Sequence, residues 1–99
     1  MKILHIGDVV GAAGCQFLEK HLPSMKRTHH IDLTIVNGEN SAQGNGITKH
    51  SMEQIFSAGA DVITTGNHCF KRRESLAIYD EPMVLRPANY PDGCVGKCV

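Results

Sequence analysis

The sequence lacks an excess of either charge: ten Lys and Arg stand against ten Asp and Glu over 99 residues. That balance excludes the basic field that draws a chain to nucleic acid, and it excludes an acidic solvating tail. Long hydrophobic runs are missing as well. After Met1 and Lys2 the opening apolar run is too short for a signal-peptide core or a membrane-spanning helix, so a cytoplasmic protein with no membrane partner is expected. No Cys-x-x-Cys pair links Cys15, Cys69, Cys94 and Cys98. Their irregular spacing, without secretory context, points to reduced thiols rather than a disulfide framework, and it disfavours a zinc-binding interaction domain built on Cys69, Cys94 and Cys98. There is no internal repeat and no low-complexity tract. What remains, with 41% hydrophobic residues, is a globular chain the size of one small domain.

The informative stretch runs from Asp61 to His68. Val62 and Ile63 lead through Thr64 and Thr65 to Gly66, Asn67 and His68. An apolar, β-branched run that stops at a glycine and metal-competent side chains is how a buried parallel strand delivers chemistry at its carboxyl end. The pattern occurs twice more: Lys2 to Gly7 ends in Asp8, and Asp32 to Asn37 ends in Gly38, Glu39 and Asn40. Strands of one parallel sheet would bring Asp8, Glu39, Asn40, Asn67 and His68 to a single rim. Met83, Val84 and Leu85 suggest a fourth strand, followed by an extended loop from Arg86 to Pro91.

Between the strands lie helical patterns. From about Cys15 to Thr28, Leu18, Leu22 and Met25 recur with helical spacing while Glu19, Lys20, Lys26 and Arg27 take other faces, and Pro23 is expected to bend this helix or end it early. A second helix is signalled by Thr48 as N-cap and Gly59 as stop, with Ile47, Met52, Ile55 and Phe56 on its buried side. Glu74 to Tyr79 reads as a short third helix. His29 and His30 fit a solvated helix terminus, His21 and His50 a helix surface, and His5 a packed or hydrogen-bonded position within the first strand. The basic group Lys71, Arg72 and Arg73 reads as a solvated helix start more readily than as a phosphate clamp.

The loop after the first strand bears on function. Its glycines, at positions 7, 11 and 14, do not follow the Gly-x-Gly-x-x-Gly spacing of a dinucleotide loop. A carboxylate at the strand tip would repel a pyrophosphate unless a cation lay between, so Asp8 suits the edge of a metal site. The alternative is that Asp8 caps the following helix, and spacing does not separate the two. After the second strand, a loop rich in Gly and Asn permits tight curvature, with Glu39 and Asn40 as adjacent hard oxygen donors. A non-catalytic, Rossmann-like nucleotide-binding module is the main competing class, opposed by the acidic tips.

Together the segments Ile6 to Gly11, Asn37 to Asn40, Thr65 to His68 and Leu85 to Asn89 resemble the successive motifs of the YmdB-like metallophosphoesterases, from end to end of the chain. The resemblance implies an α/β fold, the N-terminal part of a calcineurin-like αββα sandwich in which parallel strands alternate with helices. Members of that family run roughly two to three times longer, beyond one minimal domain, so residues 1–99 are expected to form a single incomplete domain. The implied activity is hydrolysis of phosphodiesters such as 2',3'-cyclic nucleotides at a site holding two metal ions, iron or manganese. Carried over by position, Asp8 and Asn40 would bind one metal, Glu39 would bridge both, Asn67 would bind the second and His68 would be the proton donor. The family's remaining ligands are histidines of the second half. RNA enters as a partner only through the resemblance, and association into homo-oligomers is a further expectation. Cys15 stands where the family more often has a basic residue, and Cys69 and Lys71 stand where a hydroxyl and an acidic residue are common. These departures concern the substrate side more than the metal ligands.

Overall fold

A computed structural model of the chain describes residues 1–42, 46–66, 78 and 81–86. Within them the chain alternates strand and helix: β1 (Ile3–Ile6), α1 (Gly11–His29), β2 (Leu33–Asn37), α2 (Lys49–Ala58), β3 (Val62–Thr64) and β4 (Val84–Leu85). The strands form one parallel sheet in the order β1-β2-β3-β4. Register is closed at its amino end by two carboxylates. Asp32 accepts the Lys2 backbone N–H at 2.7 Å, and Asp61 accepts that of Thr34 at 2.8 Å. These acids therefore serve pairing at the end opposite the strand tips.

Sequential strand order with right-handed crossovers places both helices on one face of the sheet, and α1 indeed packs on α2. Alternation along the strands agrees. Val36, Ile63 and Val84 are aligned across β2, β3 and β4 and fully buried, and Leu4 and Ile6 pack against the same core. On the opposite face Leu33, Ile35 and Val62 are only half-buried, and Ile3 is 55% exposed. A second sheet does not occur among the described residues.

The helix α1 begins at Gly11, several residues before the expected start near Cys15, and it runs through Pro23 to His29. The expectation that Pro23 would end it early fails. Proline in a helix interior forfeits a hydrogen bond at a cost of about 3 kcal/mol, but Leu18 and Leu22, 5% and 1% exposed, each gain roughly 1.5–3 kcal/mol from burial. Tertiary packing thus overrides the local penalty. Basic Lys26, Arg27 and His29 occupy the last turn, complementing the helix dipole. The helix stops where His30 turns left-handed at φ 54° and the Ile31 N–H reaches back to the Lys26 carbonyl at 3.0 Å. His29 and His30 are exposed, as is His50, whereas His21 is half-buried and lies 4.3 Å from the Phe17 ring. Met25 is 38% exposed, so the apolar stripe of α1 narrows to Cys15, Leu18 and Leu22.

The ends of α2 match the sequence reading. Thr48 Oγ1 accepts the Ser51 N–H at 3.2 Å while Ser51 Oγ accepts the Thr48 N–H at 3.0 Å, a reciprocal cap. Gly59 supplies the stop at φ 123°, a conformation that strains other residues. Lys26 Nζ then donates to the Gly59 carbonyl at 2.7 Å, tying α1 to the end of α2. Ile47, Met52 and Ile55 are buried, but Phe56 is only partly so. No helix among the described residues is long and apolar enough to cross a membrane. The expected helix from 74 to 79 lies outside the described residues except for Ile78, and so do the loop from 87 to 91, the basic group at 71–73 and Cys69, Cys94 and Cys98.

Candidate active site

The carboxyl ends of β1, β2 and β3 meet at one rim because the strands are parallel and in sequence order. Beyond β1, the Val9 N–H bonds to the Asn37 carbonyl at 3.2 Å and the Gly11 N–H to the Asn40 carbonyl at 3.0 Å, so the two tip loops are laced together. Just before those bonds Asp8 adopts φ 37°, a left-handed conformation that is uncommon outside glycine and that Asp tolerates better than most residues. Its Oδ1 accepts a hydrogen bond from Asn40 Nδ2 at 2.7 Å. The helix α1 instead has Val10 at its N-cap, with no side-chain cap. Asp8 therefore does not cap the helix, and the alternative left open by spacing is closed.

The β2 loop is held from below. Ser41, 2% exposed, packs its hydroxyl 2.7 Å from the Gly38 carbonyl and 2.9 Å from Ser51 Oγ. The Cys15 thiol points at the Ser41 carbonyl at 3.7 Å. Burial, together with the nearby Glu19 carboxylate, pushes the Cys15 thiol pKa above its ordinary value, so it stays protonated. Cys15 is a free thiol. The Gly38 N–H completes the loop by donating to the Thr64 carbonyl at 3.0 Å. Glu39 and Asn40 thus project from a turn anchored to α1, α2 and β3.

A cavity of about 370 Å³ opens at this rim, lined by His5, Gly7, Asp8, Asn37, Glu39, Asn40 and Thr64. Asn37 Oδ1 and Asn40 Oδ1 are buried without a hydrogen-bond partner. Two carboxylates and two amides around one opening form an oxygen-rich donor set of the kind hard cations take. No three His, Cys, Asp or Glu side chains among the described residues gather closely enough to make a metal site by themselves.

The structure therefore brings Asp8, Glu39 and Asn40 together, while Asn67 and His68 lie outside the described residues. The reading of His5 as a packed residue is corrected: it is exposed and lines the cavity. Strand alternation explains this, since His5 pairs with Ile35 on the face the helices leave uncovered. Asn37 and Thr64 were not singled out from sequence. They are paired across β2 and β3 on that same face, and the signal was the polar residue ending each strand.

Comparison with known proteins bears on this rim. Residues 4–99 match the profile of the YmdB-like proteins. The chain belongs to the YmdB-like family. Among its relatives is a 2',3'-cyclic-nucleotide 2'-phosphodiesterase of Bacillus subtilis (strain 168), 42% identical over 98 residues, a match covering 98% of this chain and 37% of the relative. A solved structure described as a novel phosphatase, from Mycoplasma pneumoniae, superposes with a TM-score of 0.91 at 31% identity, covering 98% of this chain and 36% of that one. A Thermus thermophilus protein, described only as hypothetical, superposes with a TM-score of 0.90 at 39% identity, covering 98% of this chain and 38% of that one. This YmdB-like chain thus spans a little over a third of the length of the relatives it matches. Its parallel sheet and alternating helices are the expected N-terminal part of a calcineurin-like α/β fold.

Proposed function

We propose that this YmdB-like chain carries the N-terminal share of a metal-dependent phosphodiesterase site that acts on 2',3'-cyclic nucleotides or closely related phosphodiesters. One observation carries the reading: Asp8, Glu39 and Asn40, from two strand tips far apart in sequence, line one cavity in a chain 42% identical to a 2',3'-cyclic-nucleotide phosphodiesterase. The donor set suits the proposed metals. The buried Asn40 Oδ1 has no hydrogen-bond partner beside the Asp8 carboxylate, and a cation would satisfy such an oxygen.

In this reading Asp8 and Asn40 would hold one ion, Asn67 would hold a second, and Glu39 would be a ligand shared by both. Two such ions, when bound, polarise phosphoryl oxygens and make hydroxide available near neutral pH. Asp8 and Glu39 cancel part of the ionic charge, while the neutral amides of Asn40 and Asn67 ligate without cancelling more, so the cavity keeps a net attraction for a phosphodiester. His68 protonates the leaving oxygen, a task for which an imidazole with a near-neutral pKa is suited. Iron and manganese both fit oxygen donors supplemented by imidazole. Four carried-over ligands are few for two ions, so residues 1–99 alone form an incomplete domain that turns over slowly.

The test is Glu39→Gln in the intact protein, with metal content and turnover of a 2',3'-cyclic nucleotide measured together. An amide oxygen bridges two cations poorly, so nearly all turnover and part of the metal should be lost. Full metal content with unchanged turnover would remove Glu39 from the site and the reading with it.

A further inference from the structure

We infer that Gly66 is a positioning residue for Glu39: its missing side chain is the space in which the Glu39 carboxylate lies. This deepens the proposed function and rests on it for the use made of Glu39. A Cβ placed on Gly66 would fall 2.5 and 2.6 Å from the two Glu39 carboxylate oxygens and 2.7 Å from Cδ. Non-bonded heavy atoms settle at about 3.5–4.0 Å, so no side chain at position 66 coexists with this placement of the carboxylate. Backbone freedom is not the reason for the glycine, since Gly66 is absent from the positive-φ residues Gly11, Gly46 and Gly59. The requirement is room. Gly66 directly precedes Asn67 and His68 in sequence, and it follows β3 by two residues. The β3 tip therefore accommodates the acid of the β2 tip on its α-carbon.

Gly38, on the other side of Glu39, gives an internal contrast. A Cβ there would meet Ile63 Cγ2 at 3.0 Å, Ile55 Cδ1 at 3.1 Å and Ile47 Cδ1 at 3.5 Å, and all three side chains are fully buried. A methyl group at position 38 requires fully buried core side chains to give way by a few tenths of an ångström. A methyl group at position 66 displaces only the far end of a flexible acid. The two glycines should consequently separate in what they protect: Gly38 the fold, Gly66 the location of the carboxylate.

The experiment compares Gly66→Ala, Gly38→Ala and the double variant Gly66→Ala with Glu39→Asp in the intact protein. Melting temperature, manganese affinity from the electron spin resonance signal of free Mn²⁺, and the Glu39 carboxyl ¹³C resonance are recorded. Gly66→Ala should keep its melting temperature within about 3 °C, shift the Glu39 resonance and weaken manganese binding about 10- to 100-fold. The double variant should bind manganese more tightly than Gly66→Ala alone, because the shorter acid withdraws from the added methyl. Gly38→Ala should lower the melting temperature. An unmoved Glu39 resonance in Gly66→Ala, or, where wild type binds manganese, a double variant no better than the single one, would overturn the inference. If no variant binds manganese, wild type included, a resonance that moves in Gly66→Ala still supports the positioning role while the metal reading falls.

Discussion

Replacing Ser41 by alanine tests how the Glu39 loop is held. The hydroxyl is buried at 2% exposure and stands 2.7 Å from the Gly38 carbonyl and 2.9 Å from Ser51 Oγ. Its single proton serves one of these at a time, and the other contact is made only when Ser51 donates. Ser41→Ala removes both contacts but leaves neither partner orphaned. The Gly38 carbonyl keeps the Ser41 N–H at 3.1 Å, and Ser51 Oγ keeps the Thr48 N–H at 3.0 Å. Without a buried orphan, the loss should be that of one to two ordinary hydrogen bonds, about 1–2 kcal/mol. In an intact protein the length of the relatives this chain matches, that lowers the melting temperature by roughly 2–4 °C per kcal/mol. Urea denaturation followed by circular dichroism measures it, with an unchanged m-value as evidence that the change is one of stability alone. The Asn40 side-chain amide resonance, which reports the bond to Asp8, should move at the same time. An unchanged midpoint would mean that backbone contacts alone hold the loop. A loss well above about 3 kcal/mol would mean that an unsatisfied buried group had been created after all.

Other outcomes follow from the same geometry. Because the Cys15 thiol pKa is raised in the fold, chiefly by burial, its contribution to stability is full below the unfolded value of about 8.5 and declines as pH rises through the raised folded value. Denaturation midpoints of wild type should therefore fall above that pH more steeply than those of Cys15→Ala, and parallel curves would refute the assignment. His68→Ala in the intact protein should keep its metal content and lose about 10²- to 10⁴-fold in rate, the usual share of a positioned proton donor. Loss of one metal equivalent instead would place His68 among the ligands.

Some of this was legible in the residues. Thr48 and Gly59 mark the ends of α2 because capping is local chemistry: a hydroxyl and a positive-φ glycine act within one turn of where they stand. The strands were readable from β-branched runs ending in polar tips, and parallel pairing follows once helices alternate with strands. Pro23 misled for the opposite reason. Its penalty is local, but the burial of Leu18 and Leu22 that overrides it depends on a sheet whose strands come from other segments. His5 misled because a strand has two faces, and which one the helices cover is a property of the whole layer.

By itself, then, the sequence determined the order and kind of the elements, the tips that carry oxygen donors and the family to which the chain belongs, because each of these depends on residues near one another or on a pattern retained along the chain. Only the tertiary structure decided that Asp8 bonds Asn40 rather than capping α1, that Asn37 and Thr64 line the cavity, and that Glu39 lies against Gly66. Each of those contacts joins side chains from different strand tips. Their distances depend on strand register and on the packing of α1 and α2 beneath the loops, which no local stretch of sequence specifies.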